Sequence, residues 1–107
     1  MISTHILDTS LGAPAADVKV KLQIHQNGAW QELNSGNTNA DGRYVFDCET
    51  PSGQYQIVFG IEAYQKKTTP KSFFLDATVG FKTDASQPKY HVPLLLNPYG
   101  YSTYKGS

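Results

Sequence analysis

Apolar and polar residues alternate along most of this chain with a period of two, the repeat of a half-buried β-strand rather than of a helix. Val18, Val20, Leu22 and Ile24 interleave with Lys19, Lys21, Gln23 and His25. That parity turns His25 toward solvent with the lysines and leaves it no role. Asn27-Gly28 is a hairpin signal, and residues 30–33 are predicted to return as the partner strand. Asn39-Ala40-Asp41-Gly42 is a second turn, leading into a strand over residues 43–47 with Tyr44 and Phe46 on one face. Pro51-Ser52-Gly53 breaks the chain again, and Tyr55, Ile57 and Phe59 form a third apolar row.

One helix is predicted, over residues 61–67, with Gly60 before it and Pro70 beyond it as a stop. Ala77, Val79 and Phe81 then alternate with Thr78, Gly80 and Lys82, and residues 84–88 make a turn. A last strand pair spans residues 90–96 and 99–104 around Asn97-Pro98. Seven or eight short strands at regular spacing predict an all-β, antiparallel β-sandwich. A length of 107 residues, without repeat or linker, fits one domain over 1–107.

Parity also sorts the chemistry-bearing residues. Val92, Leu94 and Leu96 take the core face of their strand, which leaves His91, Pro93 and Leu95 on the other. Ile2, Thr4 and Ile6 share one face near the start; Ser3, His5 and Leu7 share the opposite one. Arg43 follows the Asp41-Gly42 turn. Taken singly, each of these polar residues is more simply a solvated surface group. Separations of 38 and 48 positions define no local motif, but His5, Arg43 and His91 all occupy strand positions compatible with one shared outer sheet face.

Composition excludes several functions. Nine basic residues balance nine acidic ones, so no net field favours nucleic acid or an anionic membrane. No apolar run approaches the roughly 20 residues that span a bilayer. The first residues lack the pattern of a secretory signal, which points to the cytoplasm, with periplasm and peroxisome as alternatives. Cys48 is the single cysteine, so there is no internal disulfide, and a cysteine-rich zinc site is excluded. Asp8, Asp41, Asp47 and Asp84 stand at turns or strand ends, where carboxylates usually accept backbone hydrogen bonds. Phosphate-loop, nucleophile-elbow and zinc-protease motifs are absent. Tyr99, Tyr101 and Tyr104 are large rings in a terminal segment, a placement that predicts burial in the chain's own core or against a neighbouring subunit.

Three blocks resemble a known family. Ser3-Thr4-His5-Ile6-Leu7-Asp8 with Gly12-Ala13-Pro14-Ala15, then Asp41-Gly42-Arg43, then Tyr90-His91-Val92-Pro93-Leu94 with Pro98-Tyr99-Gly100-Tyr101-Ser102-Thr103-Tyr104, are similar to the transthyretin-like 5-hydroxyisourate hydrolases. The resemblance implies a transthyretin-like (prealbumin-type) sandwich of two four-stranded sheets with one short helix. It also implies a homotetramer with sites in a channel at the dimer–dimer interface. The implied reaction is hydrolysis of 5-hydroxyisourate, a small molecule of urate degradation, with no metal or organic cofactor and no nucleic-acid or membrane partner.

On the family's pattern, the catalytic residues fall on His5, Arg43 and His91, and substrate contacts on His5, Arg43, Tyr104 and Ser107. The family's terminal Tyr-Arg-Gly-Ser becomes Tyr104-Lys105-Gly106-Ser107, which keeps a charge but loses a planar fork of donors. Leu75 stands in place of a usual proline, and Asn97 in place of a usual serine. A ligand carrier of the same fold is the chief alternative, and it lacks the His/Arg/His set. A secreted adhesion sandwich is a weaker one, with neither leader nor disulfide pair here.

Overall fold

The computed structural model describes residues 1–68 and 72–107. Pro70, expected to end the helix, lies outside the described residues. The elements in chain order are β1 (Ile2–Asp8), β2 (Ala13–Pro14), β3 (Lys19–Gln26), β4 (Ala29–Asn37), β5 (Arg43–Phe46), β6 (Gly53–Phe59), α1 (Ile61–Thr68), β7 (Ala77–Thr83), β8 (Tyr90–Asn97) and β9 (Gly100–Thr103).

The strands form two sheets. One follows the order β4-β3-β6-β7, antiparallel throughout. The other runs β2-β1-β8-β9, with β5 also pairing β1. The expected sandwich with one short helix is present, but this sheet counts five strands rather than four, and its β1–β8 pair is parallel. The extra strand comes from dividing one edge. β5 pairs with β1 from Ile2 to His5, and β2 pairs with Leu7 and Asp8. The Gly42 carbonyl fills the join, accepting from the Ile6 amide at 2.8 Å. The sheet therefore stays four strand positions wide.

Alternation places the core between the sheets. Ile2, Ile6, Phe46, Leu94 and Leu96 from one sheet meet Val20, Leu22, Ile57 and Phe59 from the other, all buried. Thr4 shares that buried face and is satisfied by donating to the Val92 carbonyl at 2.6 Å. The Asn27-Gly28 hairpin forms as expected, with φ of 54° and 77° at its two central residues. His25 is exposed and meets Trp30 edge-on at 5.0 Å between ring centroids.

The helix closes one end of the sandwich. Ile61 enters the core, the Gln65 side-chain amide donates to the Asn97 carbonyl at 3.0 Å, and the Tyr64 hydroxyl donates to Asp8 at 2.9 Å. Asp8 also accepts from the Ser10 amide and hydroxyl and from the Leu11 amide. No helix among the described residues is long and apolar enough to cross a membrane.

Past β9 the ladder lapses and then resumes. The register of Leu94 opposite Thr103 sets Tyr104 against Pro93, which has no N–H to offer. Pairing returns at an isolated bridge between His91 and Gly106. The tail rings do not enter the chain's own core. Tyr99 is 71% exposed, Tyr104 56% and Tyr101 38%, although Tyr101 packs edge-on against Phe74.

Candidate active site

Register across three adjacent strands decides which side chains meet. Ser3 and His5 alternate with buried Ile2, Thr4 and Ile6, so they project from the outer face of the five-stranded sheet. On one side β5 sets Val45 opposite Ser3 and Arg43 opposite His5. On the other, β8 sets His91 opposite Ser3 and Pro93 opposite His5. His5, Arg43 and His91 thus share one outer face, the arrangement that strand parity allowed.

Local structure holds Arg43 and His91. Arg43 leaves a turn in which the Asn39 side-chain oxygen accepts from the Asp41 and Arg43 amides at 2.9 and 3.0 Å. Gly42 adopts φ +73° there, and a Cβ on it would lie 2.6 Å from the Ile6 carbonyl oxygen. The Arg43 guanidinium engages no carboxylate among the described residues. His91 is half-buried, and its Nδ1 lies 2.8 Å from the Ser3 hydroxyl. The Gly106 amide donates to the His91 carbonyl at 2.7 Å, which lays the tail along the ring.

The electrostatics keep that ring neutral. Burial, then the charges of Arg43 and His5, hold the His91 pKa below its ordinary 6.5. A cleft of about 550 Å³ opens here, walled by Ser3, Arg43, His91, Lys105 and Ser107 among others. Its described walls carry Arg43, Lys89 and Lys105 but no aspartate or glutamate. Such a surface suits a small anion beside a neutral proton acceptor.

Two expected residues stand apart from these walls. His5 is not among the cleft walls but stands two register positions along β1 from Ser3, opposite Arg43. Tyr104 lines a neighbouring depression of about 360 Å³ with Phe81 and Lys82 of β7, and His91 and Lys105 border both hollows. Sequence reasoning assigned nothing to Ser3, although its shared parity with His5 was the available signal. Lys89 and Gln87 at the cleft mouth carried no signal at all. Burial, then the charge of Asp47, push the Cys48 thiol above its ordinary value, in keeping with an inert cysteine. Among the described residues no group of three histidine, cysteine, aspartate or glutamate side chains is placed to hold a metal ion.

Known proteins share this framework. The 5-hydroxyisourate hydrolase of Salmonella dublin is 38% identical over 110 residues, spanning 100% of this chain and 81% of the relative. The structure of Klebsiella pneumoniae 5-hydroxyisourate hydrolase superposes with a TM-score of 0.87 at 34% identity, covering 99% of this chain and 98% of that one. Sea bream transthyretin, solved in complex with thyroxine, gives 0.91 at 28% identity over 98% of this chain and 93% of its own. Residues 2–106 match the HIUase/Transthyretin family across both sheets and the tail that borders the cleft, and the chain belongs to that family.

Proposed function

We propose that this protein hydrolyses 5-hydroxyisourate to 2-oxo-4-hydroxy-4-carboxy-5-ureidoimidazoline, a step of urate degradation. The juxtaposition of two imidazoles and a guanidinium beside a cleft whose described walls carry cations but no aspartate or glutamate supports the reading. The oxygen of water adds to the ring acyl carbon while an imidazole takes its proton. The carbon–nitrogen bond then breaks, and a proton passes to the departing nitrogen. A neutral imidazole suits the first transfer near pH 7, and the lowered His91 pKa supports that state. His5 and His91 share water activation and proton delivery. Arg43 holds the anionic substrate and stabilises the developing oxyanion with a fixed fork of donors. Ser107 contacts the substrate and closes the cleft, and Tyr104 contributes from the adjoining hollow. The scheme requires no metal or organic cofactor.

The protein acts as one domain over residues 1–107, in a homotetramer whose sites lie where dimers meet. Exposed Tyr99, Tyr104, Phe73 and Leu75 support that assembly, because large apolar side chains at a surface gain most from a partner. The fold likeness to transthyretin favours a second reading, a small-ligand carrier that uses the same channel between subunits. That reading leaves the imidazole and guanidinium set without a task.

Mixing the protein with freshly made 5-hydroxyisourate and following its near-ultraviolet absorbance separates the two. The expected result is decay well above the spontaneous rate. Decay at the spontaneous rate from a correctly assembled oligomer would put the carrier reading ahead.

A further inference from the structure

Catalytic imidazoles are usually oriented by a carboxylate on the ring nitrogen that faces away from the substrate. His91 has none. Its Nδ1 meets the Ser3 hydroxyl at 2.8 Å, and the cleft walls contain no aspartate or glutamate among the described residues. Neither the Ser3 hydroxyl nor Nε2 of His91 has another partner among those residues. On the opposite ring edge Gly106 approaches so closely that a Cβ there would lie 2.7 Å from Cδ2. Turning the ring over would remove Nδ1 from Ser3 and leave it on the Gly106 side.

We propose that Ser3 is the positioning residue of His91: its hydroxyl oxygen accepts the Nδ1–H bond, so the neutral ring turns an unprotonated Nε2 toward the cleft. One observation selects this direction of the bond over its reverse. The cleft beyond the ring is lined by the cations Arg43 and Lys105, which favour a lone pair rather than an N–H on the edge that faces them. The hydroxyl is neutral, so it orients the ring without the added negative charge that makes an imidazole more basic. A nitrogen free to accept a proton is what water activation requires. This consequence for rate rests on the hydrolase reading, whereas the tautomer itself does not.

Nitrogen-15 NMR of the imidazole ring tests the tautomer in the unaltered protein. The expected pattern near neutral pH is a protonated Nδ1 and an unprotonated Nε2 for His91. The reverse pattern would overturn the proposal whether or not the protein turns over 5-hydroxyisourate. Ser3→Ala is expected to mix the two tautomers and to lower kcat by roughly 10- to 100-fold with KM nearly unchanged. Ser3→Thr, which keeps the hydroxyl, is expected to restore both. A folded Ser3→Ala protein with the original tautomer and kcat would refute the assignment. A wild-type protein showing the expected tautomer but no hydrolysis would sink the enzymatic reading and leave the Ser3 assignment standing.

Discussion

Gly106 sits so close to His91 that one added carbon would meet the imidazole at 2.7 Å, while its amide donates to the His91 carbonyl at the same 2.7 Å. The chain can yield only by shifting the ring or lifting the tail. Gly106→Ala is therefore expected to lower kcat/KM by roughly 10- to 100-fold, since small displacements of a reacting group are costly. The core is untouched, so thermal unfolding should move by less than about 5 °C. Steady-state kinetics and a melting curve on the same preparation check both.

Removing either imidazole should cost far more. His5→Ala and His91→Ala are each expected to lose roughly 10²–10⁴-fold in rate, the range of a general acid or base. Neither side chain is part of the buried core, so the fold should survive, and size-exclusion chromatography should return the wild-type assembly. A loss of assembly together with activity would mean that the residues act in packing.

The pH dependence has a definite sign. Burial and the charges of Arg43 and His5 depress the native His91 pKa below 6.5, so the native protein binds fewer protons there than the unfolded chain does. This group's stabilising contribution is present above about pH 6.5 and is lost as pH falls through the native value. The acid limb of the rate profile should likewise lie below 6.5. Arg43→Met removes one of the causes, so NMR titration of the His91 ring should show its pKa rising toward 6.5.

The turn before Arg43 is a stability element in its own right. Gly42 holds φ +73°, and a side chain would press on the Ile6 carbonyl that lies beneath it. Gly42→Ala is expected to cost about 1–3 kcal/mol in urea unfolding, from backbone strain and a displaced edge. It should also weaken substrate binding, because the same turn delivers Arg43 opposite His5.

Asp8 should govern acid stability. Burial alone would raise its carboxyl, but hydrogen bonds from Ser10, Tyr64 and the Leu11 amide outweigh that and hold the pKa below 3.8. The stability it supplies is present above the unfolded pKa and is lost as pH falls through the native one. Asp8→Asn is expected to cost about 1–3 kcal/mol at neutral pH, because one oxygen that accepts from these donors is replaced by an amide nitrogen. The variant should also show a smaller loss of stability between pH 4 and pH 2 than the parent (about that window, from the unfolded carboxylate value).

Local physics explains which parts of this architecture were legible beforehand. Val20, Leu22 and Ile24 alternate with polar residues because one face of β3 meets the core, and the Asn27-Gly28 turn needs two positive φ values that few other pairs tolerate. Those features follow from neighbours along the chain. The parallel β1–β8 pair does not, since it joins Ile2 to Tyr90 across the whole sequence and no turn signal reports it. The five-strand count was hidden for a related reason, because β2 is only two residues long and borrows its edge from β5. Parity put His5 and His91 on outer faces but could not say that Ser3 would stand between Val45 and His91. The family motifs pointed to the imidazoles and the guanidinium, while the hydroxyl that holds one of them became visible only with the strands side by side.

The parallel ladder between the first and eighth strands also sets a timetable. A polypeptide emerging from a ribosome can build the four-stranded sheet from residues 19–83 before β8 and β9 exist. The opening strand must wait, its inner seam uncovered, until the eighth strand arrives to lie against it. Whatever chemistry the outer face performs therefore waits for residues 90–107 to be made, and a chain halted before them would be silent however well its other half had folded.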